Sequence, residues 1–73
     1  MNYSAFLEDL GTRIKEIRLK QNMNEGEFAD KLGLNREDVG KMEAGQLDLK
    51  ITTLFKISNS MDVEMSELLA PGA

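Results

Sequence analysis

The side chains best suited to chemistry are concentrated in one short stretch, residues 35–46, "NREDVGKMEAGQ". Arg36 and Lys41 carry hydrogen-bond donors that can bind the O6 and N7 atoms of guanine. Glu37 and Asp38 lie between them, and ionised carboxylates only accept hydrogen bonds. Glu37 could accept one from cytosine N4. The stretch therefore points to recognition by charge and hydrogen bonding.

A plainer interpretation stays open for each of these side chains. Arg36 and Lys41 can be ordinary charges on a solvated surface. Glu37 and Asp38 can be favoured simply because acidic residues in the first turn of a helix interact well with the helix dipole. The four residue types alone do not decide between the two interpretations.

The composition leaves little material for catalysis. The chain of 73 residues contains no Cys and no His, so it lacks a thiolate, the commonest general base and the commonest metal ligand. It has no phosphate-cradling glycine loop, and its carboxylates are scattered along predicted helices. We therefore expect no enzymatic activity, no cofactor and no metal site.

The formal net charge of −4 bears on the choice of partner. DNA-binding domains usually present a basic patch, but only the surface that meets DNA has to be positive. The chain has no run of about 18 apolar residues, and its first ten residues lack the features of a signal peptide. With no cysteine to form a disulfide, these features favour a cytoplasmic protein without membrane contact.

The spacing of apolar residues predicts an all-α fold, a compact bundle of five helices without strands. Helix 1 should run from an N-cap at Ser4 to about residue 21. Helix 4 should cover about 51–61 and helix 5 about 64–69. The whole chain, 1–73, is expected to be one domain with a core over 11–69 and a flexible tail at 70–73. The inward residues of helices 4 and 5 are predicted to be Leu54, Phe55, Ile57, Met61, Met65, Leu68 and Leu69.

Two shorter helices and the turn between them form the informative unit. Asn24 and Glu27 have the spacing of a capping box for helix 2, about 25–32, and Gly33 suits its left-handed end. Asn35 can cap helix 3, about 36–44, with Gly45 at its end. Two helices joined by such a turn form a helix-turn-helix, in which the second helix enters the major groove of DNA.

One face of helix 3 is expected to carry the base contacts. Val39 and Met42 are predicted to point inward. At about 100° per residue, the opposite face presents Arg36, Glu37, Gly40 and Lys41.

Residues 11–69 resemble the Cro/CI-type helix-turn-helix family, the phage-repressor and XRE-like regulators. The resemblance rests on four segments in order. "LGTRIKEIRLKQN" is similar to the first helix of the family, "MNEGEFADKLGL" to its second helix and turn, "NREDVGKMEAGQ" to its recognition helix with a Glu-x-Gly ending, and "TLFKISNSMDVEMSELL" to its last two helices.

The resemblance implies roles by position. It implies that Arg18 and Glu43 pair to link helix 1 to the end of helix 3. It also implies a homodimer on a near-palindromic operator in double-stranded DNA. With the reasoning from residue types, it gives one set of candidate DNA-binding residues: Asn24, Glu25, Arg36, Glu37, Asp38, Gly40, Lys41 and Lys50. Within this set, Asn24, Lys50 and the first amides of helix 2 would hold phosphates.

The sequence also departs from the family pattern. Glu25 stands where glutamine is frequent, and Leu49 where proline often opens helix 4. The loop "QLD" at 46–48 is less polar and less basic than usual. Gly26 and Gly40 lie inside the motif helices and cost about 0.5–1 kcal/mol each relative to alanine.

Three functions therefore remain open. The first is a dimeric, sequence-specific regulator of transcription, with helix 5 or the loop at 46–50 in the dimer interface. The second is an acidic protein-interaction module, antitoxin-like or anti-repressor-like, using the motif face or the loop with Leu47 and Leu49. The third is DNA binding that depends on a more basic partner subunit. Leu47 and Leu49 can instead pack beneath the loop.

Overall fold

A computed structural model describes residues 2–69, which form five α-helices and no strand: α1 (Tyr3–Lys20), α2 (Glu25–Leu32), α3 (Arg36–Glu43), α4 (Ile51–Met61) and α5 (Met65–Leu69). The predicted all-α class and helix order are confirmed. The expected flexible tail at 70–73 lies outside the described residues. Over 2–69, no helix combines the length and the hydropathy needed to cross a membrane.

The start of α1 differs from the prediction. Asn2, not Ser4, is the N-cap, and its side-chain oxygen accepts a hydrogen bond from the backbone N–H of Ala5 at 2.7 Å. Asn and Ser are equally good N-cap residues, so residue type alone could not choose between them. The choice places Tyr3 inside the first turn of α1.

The helix-turn-helix is built by the capping residues that the sequence indicated. Asn24 and Glu27 form a reciprocal capping box, with hydrogen bonds of 2.8 and 2.9 Å. Gly33 ends α2 with a φ of 69°, a left-handed conformation that glycine adopts without a Cβ clash. Asn35 then caps α3 by accepting from the N–H of Asp38 at 2.8 Å. The turn between α2 and α3 is therefore fixed by local hydrogen bonds.

The core draws apolar side chains from all five helices. The prediction that Phe55 points inward is wrong, because its side chain is 59% exposed. Leu54 lies one residue earlier and occupies the inward position, and one residue is a rotation of about 100°. Leu69 is also exposed rather than buried. The buried cluster consists of Leu10, Ile14, Phe28, Ala29, Leu32, Val39, Met42, Leu54, Ile57, Met61 and Leu68.

The end of α3 lies directly on the backbone of α1. A Cβ atom at Gly11 would stand 2.5 Å from the carbonyl oxygen of Met42 and 2.6 Å from that of Glu43. A Cβ at Gly45 would stand 2.9 Å from backbone atoms of Glu8. The two glycines thus let the end of α3 and the loop after it approach the backbone of α1 more closely than a residue with a Cβ would.

We expect Gly11→Ala to destabilise the fold by about 1–3 kcal/mol, because the added methyl group meets backbone atoms that cannot rotate away. The gain in helix propensity, roughly 0.5–1 kcal/mol, offsets only part of this. Gly26→Ala is the matched control, since its Cβ would meet only the Asn24 side chain, at 3.4 Å. Urea denaturation measures the free energy of unfolding of both variants. Equal unfolding midpoints for Gly11→Ala and Gly26→Ala would contradict the close approach of the two backbones at Gly11.

Candidate nucleic-acid interface

The outer face of α3 presents the predicted base-contacting side chains to solvent. Arg36, Glu37 and Lys41 are exposed, while Val39 and Met42 are buried in the core. The predicted division of α3 into an inner and an outer face is therefore confirmed. Gly40, also predicted on the outer face, is half-buried beside Glu25, and Asp38 is half-buried at the margin of that face.

Two of these side chains interact with each other. The Lys41 Nζ lies 3.5 Å from the Glu37 Oε1, one helical turn away. Both side chains are well exposed, so the ion pair adds little to the stability of the fold. Its importance is chemical, because the ammonium group already has a carboxylate beside it. An anionic partner of Lys41 must share that ammonium group with Glu37 or displace Glu37.

The predicted pair of Arg18 and Glu43 is confirmed. The Arg18 Nε donates to Glu43 Oε2 at 2.7 Å and Nη2 donates to Oε1 at 3.1 Å. Nη1 donates to the carbonyl oxygen of Met23 at 2.9 Å. The two charged side chains are only 8% and 6% exposed. The hydrogen bond to Glu43 raises the pKa of Arg18 above its ordinary value. One guanidinium group therefore joins α1, the α1–α2 loop and the end of α3.

The beginning of α2 brings a carboxylate to the same side as α3. A Cβ at Gly40 would lie 3.3 Å from the Glu25 Oε2, so the half-buried Glu25 rests against α3 where that helix has no side chain. The Asn24 side-chain oxygen and backbone N–H are both used in the capping box. A phosphate contact by Asn24 would have to come from its side-chain Nδ2.

The loop after α3 alternates between core and solvent. Leu47 and Leu49 are half-buried and pack against the core, so the interpretation in which they pack beneath the loop is the one that the structure supports. Gln46, Asp48 and Lys50 are exposed. The charged side chains of the loop thus share its outer side.

A contact that the sequence did not indicate joins this loop to α1. The Tyr3 hydroxyl donates a hydrogen bond to Oδ1 of Asp48. That hydrogen bond is the main reason why the pKa of Tyr3 is raised, with smaller effects from burial and from the Asp48 charge. The two residues are 45 positions apart, so no local pattern could have revealed the contact.

We expect Asp48→Asn to lower the pKa of Tyr3 toward the ordinary value of about 10, because the carboxylate favours the protonated phenol. A raised folded-state pKa means that the contact stabilises the fold below the unfolded-state pKa and is lost as pH rises through the folded-state pKa. Tyr3 is the single tyrosine and there is no tryptophan, so phenolate absorbance reports Tyr3 alone. Asp30→Asn is the control, and an equal fall in pKa there would contradict a local cause.

The eight candidate DNA-binding residues form a surface that we call the docking surface: Asn24, Glu25, Arg36, Glu37, Asp38, Gly40, Lys41 and Lys50. The charges on this surface are balanced. Its cationic side chains, Arg36, Lys41 and Lys50, are matched by the acids Glu25, Glu37 and Asp38. Over residues 2–69, no three His, Cys, Asp or Glu side chains are grouped to hold a metal ion.

Comparison with known proteins gives a consistent result. A helix-turn-helix family model matches residues 14–68. The SPbeta prophage-derived HTH-type transcriptional regulator YonR of Bacillus subtilis is 36% identical over 59 residues, which are 81% of this chain and 55% of YonR. An HTH-type transcriptional regulator of Archaeoglobus fulgidus is 32% identical over 57 residues, or 78% of this chain and 80% of that protein.

A solved structure shows the same fold. The restriction-modification controller protein C.AhdI from Aeromonas hydrophila superimposes with a TM-score of 0.86 at 29% sequence identity. The match covers 93% of this chain and 99% of C.AhdI. The arrangement of helices described above is therefore also that of this controller protein.

Proposed function

This chain belongs to the XRE-like helix-turn-helix family of transcriptional regulators, and from that premise we propose that it binds double-stranded DNA sequence-specifically as a dimer. The observation that carries the proposal is the outer face of α3. It places Arg36, Glu37 and Lys41 in solvent on a helix that the Arg18–Glu43 pair holds in place. A rigid helix with exposed donors and acceptors is what major-groove recognition requires.

The proposed base contacts follow from the chemistry of each side chain. Arg36 and Lys41 would donate to guanine O6 and N7. Glu37, one turn from Lys41, would accept from the N4 amino group of cytosine. Because Glu37 and Lys41 already lie 3.5 Å apart, they would contact the same or neighbouring base pairs.

The proposed phosphate contacts lie around α3. Lys50 is exposed at the end of the loop that follows α3. The first amides of α2 are a suitable anion site, because N–H groups at a helix N-terminus lack intrahelical acceptors. Glu25 works against this site, since its carboxylate repels a phosphate. We therefore propose that affinity is modest and that base contacts supply much of the specificity.

The deciding experiment is selection from a random duplex library at low salt. We expect an enriched near-palindrome whose half-sites are one helical turn apart. Arg36→Ala should relax the base preference at one position of each half-site. Lys31→Ala, which removes an exposed cation of α2 outside the docking surface, should leave the preference unchanged. A library with no enriched sequence would contradict sequence-specific binding.

The dimer interface is proposed to lie on α4. The sequence suggested helix 5 or the loop at 46–50. The loop leucines pack on the core and Leu68 is fully buried, so helix 5 offers Leu69, 42% exposed, whereas α4 offers two apolar side chains that are more exposed. Ile51 is 73% exposed and Phe55 is 59% exposed, one turn apart on α4. Pairing two copies through this face would bury both side chains.

We expect Phe55→Ser to shift the mass measured by light scattering from the dimer toward the 8.2 kDa monomer, because it removes an apolar contact without touching the core. Leu19→Ser is the matched control, since Leu19 is 53% exposed on α1. In the intact dimer, the two α3 helices should lie about 34 Å apart, one turn of the DNA helix. A monomer at high concentration, with and without DNA, would reject the dimer.

One observation favours the protein-interaction function as the second candidate. The docking surface has as many acidic side chains as basic ones, and the Lys41 ammonium group is already paired with the Glu37 carboxylate. A basic protein surface would meet less repulsion there than DNA does. The library selection separates the two functions, because a protein-interaction module would enrich no duplex sequence.

A further inference from the structure

The contact between Tyr3 and Asp48 lies beside the docking surface. Burial alternates along 46–50, so Asp48 and Lys50 project from the same side of the chain. Residues two apart in an extended segment are separated by roughly 7 Å. A chain of phosphates that passes Lys50 therefore also passes close to Asp48 and to the hydroxyl group that it holds.

The loop at 46–50 is held in position by its contacts with α1 and with the core. Gly45 rests on the backbone of α1 at Glu8, and Leu47 and Leu49 pack on the core. Tyr3, in the first turn of α1, meets the outer side of the same loop and is 61% exposed. The loop that the phenol contacts is thus held by α1 and the core, and the phenol itself stays exposed to solvent, where a ligand can reach it.

The hydrogen bond between Tyr3 and Asp48 can be replaced by one between Tyr3 and a phosphate. A phenol hydroxyl can donate to any anionic oxygen, and carboxylate and phosphate oxygens are alternative acceptors of one kind. The Asp48 carboxylate already occupies the acceptor position. A DNA strand at Lys50 would repel the Asp48 carboxylate while offering its own oxygens to Tyr3. The Tyr3 hydroxyl is protonated at neutral pH because the ordinary pKa of tyrosine is about 10, so it is able to donate.

We propose that Tyr3 is a further phosphate-binding residue of this protein, held by Asp48 in the free chain and transferred to a DNA phosphate in the complex. This inference rests on the proposed DNA-binding function. One hydrogen bond, from the Tyr3 hydroxyl to Asp48, is broken, and one, from the same hydroxyl to a phosphate oxygen, is formed. Asp48 is then an internal competitor that lowers affinity for every duplex, whatever its sequence.

The probe is a fluorescein-labelled, mixed-sequence duplex of about 20 base pairs, because phosphate contacts do not depend on sequence. Binding is measured by fluorescence anisotropy for wild type, Tyr3→Phe, Asp48→Asn and the double variant. We expect Tyr3→Phe to weaken binding by less than about 3-fold in the wild-type background, because the hydrogen bond lost from the complex is partly offset by the one to Asp48 lost from the free chain, and by about 3- to 10-fold in the Asp48→Asn background. Asp48→Asn should strengthen binding about 2- to 5-fold, because one repulsive charge is removed.

The double variant separates a phosphate contact from a merely structural role. If Tyr3 binds phosphate, Tyr3→Phe weakens binding at least as much in the Asp48→Asn background. If Tyr3 only restrains Asp48, the substitution has no effect there, and the proposal is overturned. A salt titration adds a second readout. Lys50→Ala should flatten the salt dependence, whereas Tyr3→Phe should lower affinity equally at every salt concentration, since it removes no charge.

A direct measurement completes the test. The single tyrosine, labelled with carbon-13 at Cζ, gives one NMR signal that DNA does not obscure. We expect this signal to move on addition of duplex to wild type and to start from a different position in Asp48→Asn. Suppose that wild type binds duplex, the Tyr3 signal does not move, and Tyr3→Phe binds duplex as tightly as wild type. These results would overturn the role of Tyr3 and leave the proposed DNA-binding function standing. Failure of every variant to bind duplex at low salt would overturn the proposed function as well.

Discussion

Glu43→Ala is expected to destabilise the fold by about 3–5 kcal/mol, more than any other single substitution considered for this chain. The variant leaves the Arg18 guanidinium group buried, with the Met23 carbonyl oxygen as its remaining hydrogen-bond partner. A buried charge that loses its counter-ion bears a desolvation cost that nothing offsets. A folded domain of this size is stable by roughly 4–11 kcal/mol, so much of the protein could unfold.

Urea denaturation followed by circular dichroism measures this loss. The control is Glu37→Ala, which breaks the exposed pair with Lys41 and should change stability by no more than about 0.5 kcal/mol. A similar small change for Glu43→Ala would show that the buried pair has no special weight. If Glu43→Ala does not fold, the pair Arg18→Met with Glu43→Leu supplies the answer. Replacing both charges by apolar side chains should recover part of the stability.

Local signals predicted the helix-turn-helix well. The bounds of α2 and α4 follow from apolar spacing, and the capping box of Asn24 and Glu27 fixes the beginning of α2. Gly33 and Gly45 have the positive φ angles that their places at helix ends suggested. Each of these features depends on residues within one or two helical turns of each other, so a local sequence pattern can predict it.

The errors have a common physical origin. Whether Asn2 or Ser4 caps α1, and whether Phe55 and Leu69 point inward as their neighbours do, depends on how whole helices fit together. The close approach at Gly11 likewise depends on α3, which is about thirty residues away. Apolar spacing describes one helix at a time and carries no information on such packing.

The candidate site was predictable in part. Residue type and helical periodicity placed Arg36, Glu37 and Lys41 on one face, while the pairing of Arg18 with Glu43 came from the family resemblance. The hydrogen bond from Tyr3 to Asp48 had no signal in the sequence. Roles in DNA binding stay predictions for all residues of the docking surface, and they are tested by substitution.

Lys41→Ala is expected to weaken binding to the selected operator by about 1–3 kcal/mol, the discrimination that one good base contact supplies. The operator is the palindrome enriched from the library, and binding is measured by fluorescence anisotropy. Lys31→Ala removes the same charge from α2 outside the docking surface and should have a much smaller effect. Equal losses for the two variants would mean that Lys41 contributes only general charge.

The salt dependence of binding should be shallow. If each protomer neutralises two phosphates, four contacts per dimer give a slope of log K against log salt of about −3.6. The docking surface cannot support many more contacts, because its three cations include Lys41, which Glu37 already accompanies. A slope near −8 or steeper would show that cations outside this surface hold the DNA.

Removing acids from α3 should act in the opposite direction to Lys41→Ala. Glu37→Gln deletes a charge that repels phosphates and releases the Lys41 ammonium group, and Asp38→Ser deletes a second repulsive charge. We expect both variants to bind mixed-sequence duplex more tightly than wild type, with a correspondingly smaller preference for the operator. Glu64→Gln, an exposed acid before α5, is the control and should leave both affinities unchanged. If wild type selects no operator and the two acid-deleted variants still ignore duplex at low salt, the docking surface is not a DNA surface. The balanced charge of α3 then favours a basic protein as the partner.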